Sequence, residues 1–175
     1  MLKNLFRTRS RERLGEPLYE LTVAQARQPA FYAQMGVADE IDARFELYTL
    51  HVLLLVMRTR DEGERGAEVA QDLFNAYVSA LDHALRELGV GDTSVGKKMR
   101  KLGEAMYGRM TAYEGPLRAE DEEGLSASLA RNVLASENVS DGMALARYAL
   151  DSRRRLAAQS FAELTIKPNW GDLSA

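Results

Sequence analysis

Residues 85–109 read Leu-Arg-Glu-Leu-Gly-Val-Gly-Asp-Thr-Ser-Val-Gly-Lys-Lys-Met-Arg-Lys-Leu-Gly-Glu-Ala-Met-Tyr-Gly-Arg. Two incompatible architectures can be drawn from it. Gly91-Asp-Thr-Ser-Val-Gly96-Lys97-Lys98 is one residue away from a phosphate-binding loop, which would imply an α/β domain. Such a loop needs a hydroxyl after its lysine to meet Mg²⁺, and here Lys98 takes that place. Asp92 would put a negative charge inside the phosphate cradle, and the preceding residues 78–88 have helical rather than strand spacing. The alternative is a helix–turn–helix. Gly89 stops one helix by accepting a left-handed turn, and Asp92 caps the next. From Val95, a 100° step gathers Val95, Met99, Leu102, Met106 and Tyr113 on one side. Lys97, Lys98, Arg100 and Lys101 fall mostly on the other, either as a solvated face or as a surface for an anionic partner.

On both sides of this stretch apolar residues recur at helical spacing, with no sustained two-residue alternation. The expectation is an all-α, single-domain bundle of about six to seven helices. Pro17 suits the first position of a helix running to about Gln28. Pro29 breaks it, and a short helical turn follows through Phe31, Tyr32 and Met35, ending at Gly36. Asp39 opens a long helix to about Arg60 whose apolar stripe, Ile41, Phe45, Tyr48, Val52 and Leu55 widened by Leu47, Leu50, Leu54 and Met57, marks it as the central one. Gly63 and Gly66 bracket a loop before the next helix, which runs to Leu88; the helix after it covers about Thr93 to Tyr113, ended by Gly115-Pro116. The acidic run 120–123 opens a fifth helix to about Ala135. Ser140 or Asp141 starts a sixth, to about Leu164. The organisation read is a basic N-terminal arm over 1–16, a helical domain over 17–166 and a tail over 167–175, with Trp170 available to dock on the body.

The chain's 175 residues suffice for one domain with a true core, and a net charge of −3 gives no global field favouring nucleic acid. The first thirteen residues nonetheless hold Lys3, Arg7, Arg9, Arg11 and Arg13 against Glu12 alone. Together with Leu2, Leu5 and Phe6 they form either a frayed terminus or a contact for anionic lipid. There is no cysteine, which excludes disulfides and Cys-ligated metals. The longest apolar run, 50–57, is too short to span a bilayer. His51 and His83 lack any partner at metal-ligand spacing on their own helices, and His51 reads as a hydrogen-bonded core residue. No nucleophile–base set and no cofactor motif emerge, so the chain reads as non-catalytic, without metal or cofactor. The aromatics lie on core faces, leaving no stacking platform for single-stranded nucleic acid.

Several blocks carry a family resemblance. They are Tyr32-Ala-Gln-Met-Gly-Val-Ala-Asp39, Arg44-Phe45-Glu46-Leu47 with Leu50-His51, Ala70-Gln-Asp-Leu-Phe74, and Leu85-Arg-Glu-Leu-Gly-Val-Gly-Asp92 followed by Val95-Gly-Lys-Lys-Met99. Tyr107-Gly108-Arg109, Tyr113 and Arg131-Asn132 continue the series. The chain resembles the ubiquinol–cytochrome c chaperone family, assembly factors of the cytochrome bc1 complex (respiratory complex III), over about residues 17–150. It departs from the pattern at Glu40, Ala43 and Asn75, where Thr, Gly and Asp are expected; caps and core positions survive. The resemblance implies a helical, non-enzymatic chaperone that binds newly made cytochrome b. A long mitochondrial leader is missing, which points to a bacterial-type member acting in the cytoplasm at the inner face of the membrane. Further contacts expected are the ribosome or inner-membrane surface and a small partner protein, but not DNA. The partner-binding residues expected are Arg86, Lys97, Lys98, Arg100, Lys101 and Arg109, with Gly89, Gly91, Asp92 and Gly96 fixing the geometry of the connection. The alternative function is a peripheral RNA- or ribosome-binding adaptor using residues 97–101.

Overall fold

A computed structural model describes residues 14–173, and the basic arm up to residue 13 lies outside the described part. Among the described residues the chain is all-α, as the spacing predicts. In order come α1 (Gly15–Ala26), α2 (Pro29–Ala33), α3 (Ile41–Arg60), α4 (Gly63–Glu87), α5 (Asp92–Ala119), α6 (Glu122–Val133), a 3-10 turn (Val139–Gly142), α7 (Met143–Ala158) and α8 (Phe161–Ile166). α3 is the axis: α1, α4, α5, α6 and α7 all pack against it. Its side chains from Leu50 to Met57 are buried without interruption. A helix apolar on every side can be stable in water only when others surround it.

Four boundaries differ from the sequence reading, each for a physical reason. Gly63 and Gly66 do not bracket a loop. α4 begins at Gly63 itself, and a Cβ on Gly66 would sit 1.8 Å from the Thr59 carbonyl oxygen, so this glycine lets α4 start tight against the end of α3. Gly115-Pro116 does not end α5. The helix runs one turn further because Leu117 is fully buried, and that burial offsets the hydrogen bond proline cannot donate. Asp121 then caps α6, its carboxylate accepting from the Gly124 N–H at 2.9 Å. The sixth long helix is two elements. α7 stops at Ala158, and Ser160 and Glu163 form a reciprocal capping box that restarts the chain as α8. Arg58 of α3 covers the stop, donating to the carbonyls of Leu156 at 2.9 Å and Gln159 at 2.8 Å. Finally, α7 is preceded by a 3-10 turn capped by Asn138, so Ser140 and Asp141 lie in that turn.

The tail docks on the body. The Gly171 N–H donates to Ser152 Oγ at 2.8 Å, the Asn169 N–H to Gln159 Oε1 at 2.7 Å, and Pro168 is buried. Trp170 meets the His51 ring edge-on, with centroids 5.0 Å apart. His51 is fully buried, and the wider apolar core accommodates it through one polarised chain. Its Nδ1 lies 2.7 Å from the Leu47 carbonyl, which only accepts, so Nδ1 carries the proton. Nε2 therefore accepts from the Tyr148 hydroxyl at 2.8 Å, and that hydroxyl accepts from Gln25 Nε2 at 3.1 Å. Burial pulls the His51 pKa down from 6.5 to about 4, with the Leu47 hydrogen bond opposing the shift.

A depressed histidine pKa contributes stability that is complete above the unfolded value and lost as pH falls toward the folded one. Between pH 6.5 and about 4, urea unfolding should therefore show stability falling by roughly 1.4 kcal/mol per pH unit from His51 alone. A His51→Asn variant, less stable at pH 7, should lose that component of the slope; an unchanged slope would mean that His51 is not the group being titrated.

Candidate functional site

The glycine-rich connection joins two helices, and no strand occurs among the described residues, so the nucleotide-loop alternative is eliminated. Gly89 has φ +79, its N–H bonds to the Arg86 carbonyl at 2.9 Å, and the Val90 N–H bonds to the Leu85 carbonyl at 3.0 Å. These two bonds are the pairing by which a left-handed glycine closes a helix C-terminus. Gly91 is the residue that precedes α5, in extended backbone. Asp92 is not a side-chain cap: it is the first residue of α5 and pairs with Arg86 across the connection. Gly96 lies within the helix with nothing within 4 Å of where a Cβ would stand, so the turn does not depend on it.

α4 and α5 thus form a helical hairpin. No residue between Leu81 and Met106 joins the main apolar core. At 1.5 Å per residue the hairpin extends past that core by roughly 10 Å along α4, counted from Leu81, and by about 20 Å along α5, counted from Met106. Val95 is buried along it, Leu85, Met99 and Leu102 are half-buried, and Leu88 near the tip is 60% exposed.

The six expected partner-binding cations divide into three kinds. Lys97, Lys98, Arg100 and Lys101 are exposed and form no ion pair with a described residue. Arg86 is exposed but already bonded to Asp82 at 2.7 Å and to Asp92, and both hydrogen bonds push its pKa up. Arg109 faces inward. Its Nε and Nη2 grip the Glu46 carboxylate at 2.9 and 2.7 Å, tying α5 to α3. The Glu46 side chain is only 8% exposed, so this fork holds a nearly buried charge.

Around that pair stands a group that the motif reading quoted but did not assemble. Tyr113 is fully buried beside Glu46 and Arg109, and its hydroxyl has no hydrogen-bond partner among the described residues; Asn132 is close enough to affect its ionisation but does not meet bonding geometry. Burial is the main cause holding the Tyr113 phenol above its ordinary pKa. One signal in the sequence could have found the pair. Glu46 lies four residues before Leu50 on the row that continues to Leu53 and Met57, and a carboxylate on a buried row requires a cation from elsewhere. The histidines share no site: His51 is sealed in the core and His83 is exposed on α4. No cluster of His, Asp and Glu fit to hold a metal ion occurs among the described residues. A surface groove of about 880 Å³ between α1 and α4 is acidic, its lining including Glu16, Glu64, Glu68 and Asp72.

This arrangement defines a class: an all-α protein whose stable body displays a cationic helical hairpin outside its core. Residues 33–168 match the family described as Ubiquinol-cytochrome C chaperone, and the chain belongs to that family. The crystal structure of the Cbp3 homolog from Brucella abortus superposes with a TM-score of 0.82 at 36% identity, covering 92% of this chain and 90% of that one. The frog (Xenopus laevis) protein named ubiquinol-cytochrome-c reductase complex assembly factor 1 is 21% identical over 117 residues. That match takes in 67% of this chain but only 58% of the frog protein's length.

Arg109→Ala leaves the Glu46 carboxylate buried without its partner and should cost about 3 kcal/mol of unfolding free energy by denaturant titration. Tyr113→Phe removes only an unbonded hydroxyl, so its unfolding midpoint should equal or exceed that of the natural chain. A Tyr113→Phe loss of the size expected for Arg109→Ala would show that the hydroxyl is bonded after all.

Proposed function

We propose that this chain is a non-catalytic assembly chaperone for ubiquinol–cytochrome c reductase that holds newly made cytochrome b at the cytoplasmic face of the membrane, and that the α4–α5 hairpin is the surface it presents. Family membership supports the class of activity. The observation that carries the choice of surface is the set of four neighbouring cations, Lys97, Lys98, Arg100 and Lys101, held outside the core with no ion-pair partner among the described residues. Folding does not need them there, because the apolar face of α5 is complete without them. Arg86 and Asp92 brace the turn behind this surface, and Arg109 anchors α5 to the body. No helix among the described residues is long and apolar enough to cross a membrane, which fits a role alongside the bilayer.

A strain lacking the gene should lose most of its cytochrome b, measured by reduced-minus-oxidised absorbance of membranes, and lose quinol oxidation with it. The quadruple variant Lys97→Gln, Lys98→Gln, Arg100→Gln, Lys101→Gln should keep its unfolding midpoint yet approach the deletion in cytochrome b. Normal cytochrome b in the deletion strain ends the chaperone reading; normal cytochrome b in the variant strain alone moves the working surface elsewhere. The same cations also match nucleic-acid phosphate. Salt-sensitive sedimentation with ribosomes, abolished in the quadruple variant, is the result that would favour the adaptor function.

A further inference from the structure

We propose that the outer face of α5 docks on an anionic lipid bilayer, the headgroups supplying the counter-charge for Lys97, Arg100 and Lys101 while Tyr107 rests at the interface. This deepens the reading above and rests on it in one respect: the client is a membrane protein. Segments of such a protein exposed to the cytoplasm carry an excess of lysine and arginine. Those stretches match the hairpin's cations in sign, so the client meets the hairpin through its other parts and leaves the outer cations of α5 in need of counter-charge. The counter-charge available beside them is the phosphate of anionic lipid.

The geometry fits a helix lying along a surface. Val95, Met106, Tyr113 and Leu117 are buried and define the inner side of α5. A 100° step from them sets Lys97, Arg100 and Lys101 on the outer side and Lys98 on its flank. Tyr107, seven residues beyond Arg100 on the same row, is 75% exposed. An exposed phenol beside cations is the pairing found where protein meets headgroups, one end apolar and the other wet. Gly96 and Gly103 lie on that row with open space around them, so nothing bulky holds the face away from a flat surface. The molecule is also polarised. The acidic groove along the first half of α4 lies roughly 20 Å from the level of the cations, so an anionic surface attracts the hairpin and repels the groove. A lone exposed aromatic gives no series of stacking platforms, which sets this face apart from a single-strand nucleic-acid surface.

The test is flotation of the full-length protein with vesicles of phosphatidylglycerol and phosphatidylcholine, against phosphatidylcholine alone. Binding should need phosphatidylglycerol, weaken with salt, and fall roughly a hundredfold in the quadruple Gln variant. Glu104 stands among the cations on the outer face, so Glu104→Lys should strengthen binding several-fold, a gain that misfolding cannot mimic. Tyr107→Ser should weaken binding at unchanged salt dependence. Equal binding to phosphatidylcholine alone overturns the proposal. So does loss of binding only when Lys3, Arg7, Arg9, Arg11 and Arg13 are changed to Gln, which would give the contact to the arm. Tighter capture of poly(U) than of vesicles at the same salt also overturns it, in favour of nucleic acid. Vesicle binding involves no cytochrome b, so the quadruple variant can lose it while cytochrome b stays normal, or keep it while cytochrome b is lost. The two readings therefore fail separately.

Discussion

The side chains of α3 from Leu50 to Met57 are buried around the full circumference of the helix, and the rest of the structure answers to that constraint. A cylinder with no polar side leaves no choice but enclosure. α1, α4, α5, α6 and α7 supply it, and the tail closes the remaining gap with Trp170. Enclosure makes every polar atom on α3 a liability unless it is bonded. Thr49 meets the Tyr77 hydroxyl at 2.7 Å, Thr59 turns back to the Leu55 carbonyl at 2.8 Å, and His51 is bonded at both nitrogens. Glu46 is the expensive case, a nearly buried carboxylate held by the bidentate fork of Arg109. The position of α5 therefore follows from a charge on α3 as well as from apolar packing.

How far the sequence disclosed this varied with the range of the interaction. The all-α class and the central place of α3 were legible, because apolar periodicity reports directly on which faces are covered. The left-handed stop at Gly89 was legible for the same reason: one residue's backbone freedom decides it. What misled were glycine and proline read as punctuation. Gly66 marks close approach of two helices rather than a loop, and Pro116 sits in a helix that buried Leu117 carries onward. Both depend on a neighbour from another element, which local propensity cannot report. Asp92 illustrates the same limit. An acid at a helix start caps well in isolation, but Arg86 stands across the turn and takes the carboxylate instead.

The candidate site was legible as composition but not as arrangement. Four cations in five residues stand out in any reading, and they are exposed as expected. Arg109 shares their chemistry and lies on the same helix, yet it faces Glu46, 63 residues earlier in the chain. A 100° projection already separates it from Lys97 and Lys101; what it could not supply was the identity of the group opposite. The conjunction of Glu46, Arg109 and Tyr113 emerges only when α3 and α5 are placed side by side.

A division of labour follows from where burial ends. Beyond Leu81 and before Met106 the hairpin adds nothing to the main core, so its surface can carry like charges whose mutual repulsion the body never feels. Within the body the opposite holds: the Glu46–Arg109 pair, the His51 chain and the docked tail are each coupled to α3, and a change at any of them propagates into stability. Past the core the hairpin is held by its own residues: the Gly89 turn, buried Val95 with half-buried Leu85, Met99 and Leu102, and the exposed Arg86–Asp92 pair together set its angle. Binding chemistry placed on such an arm can be altered without unfolding the protein that bears it, whereas the same cations set against α3 would each have demanded a buried carboxylate of their own.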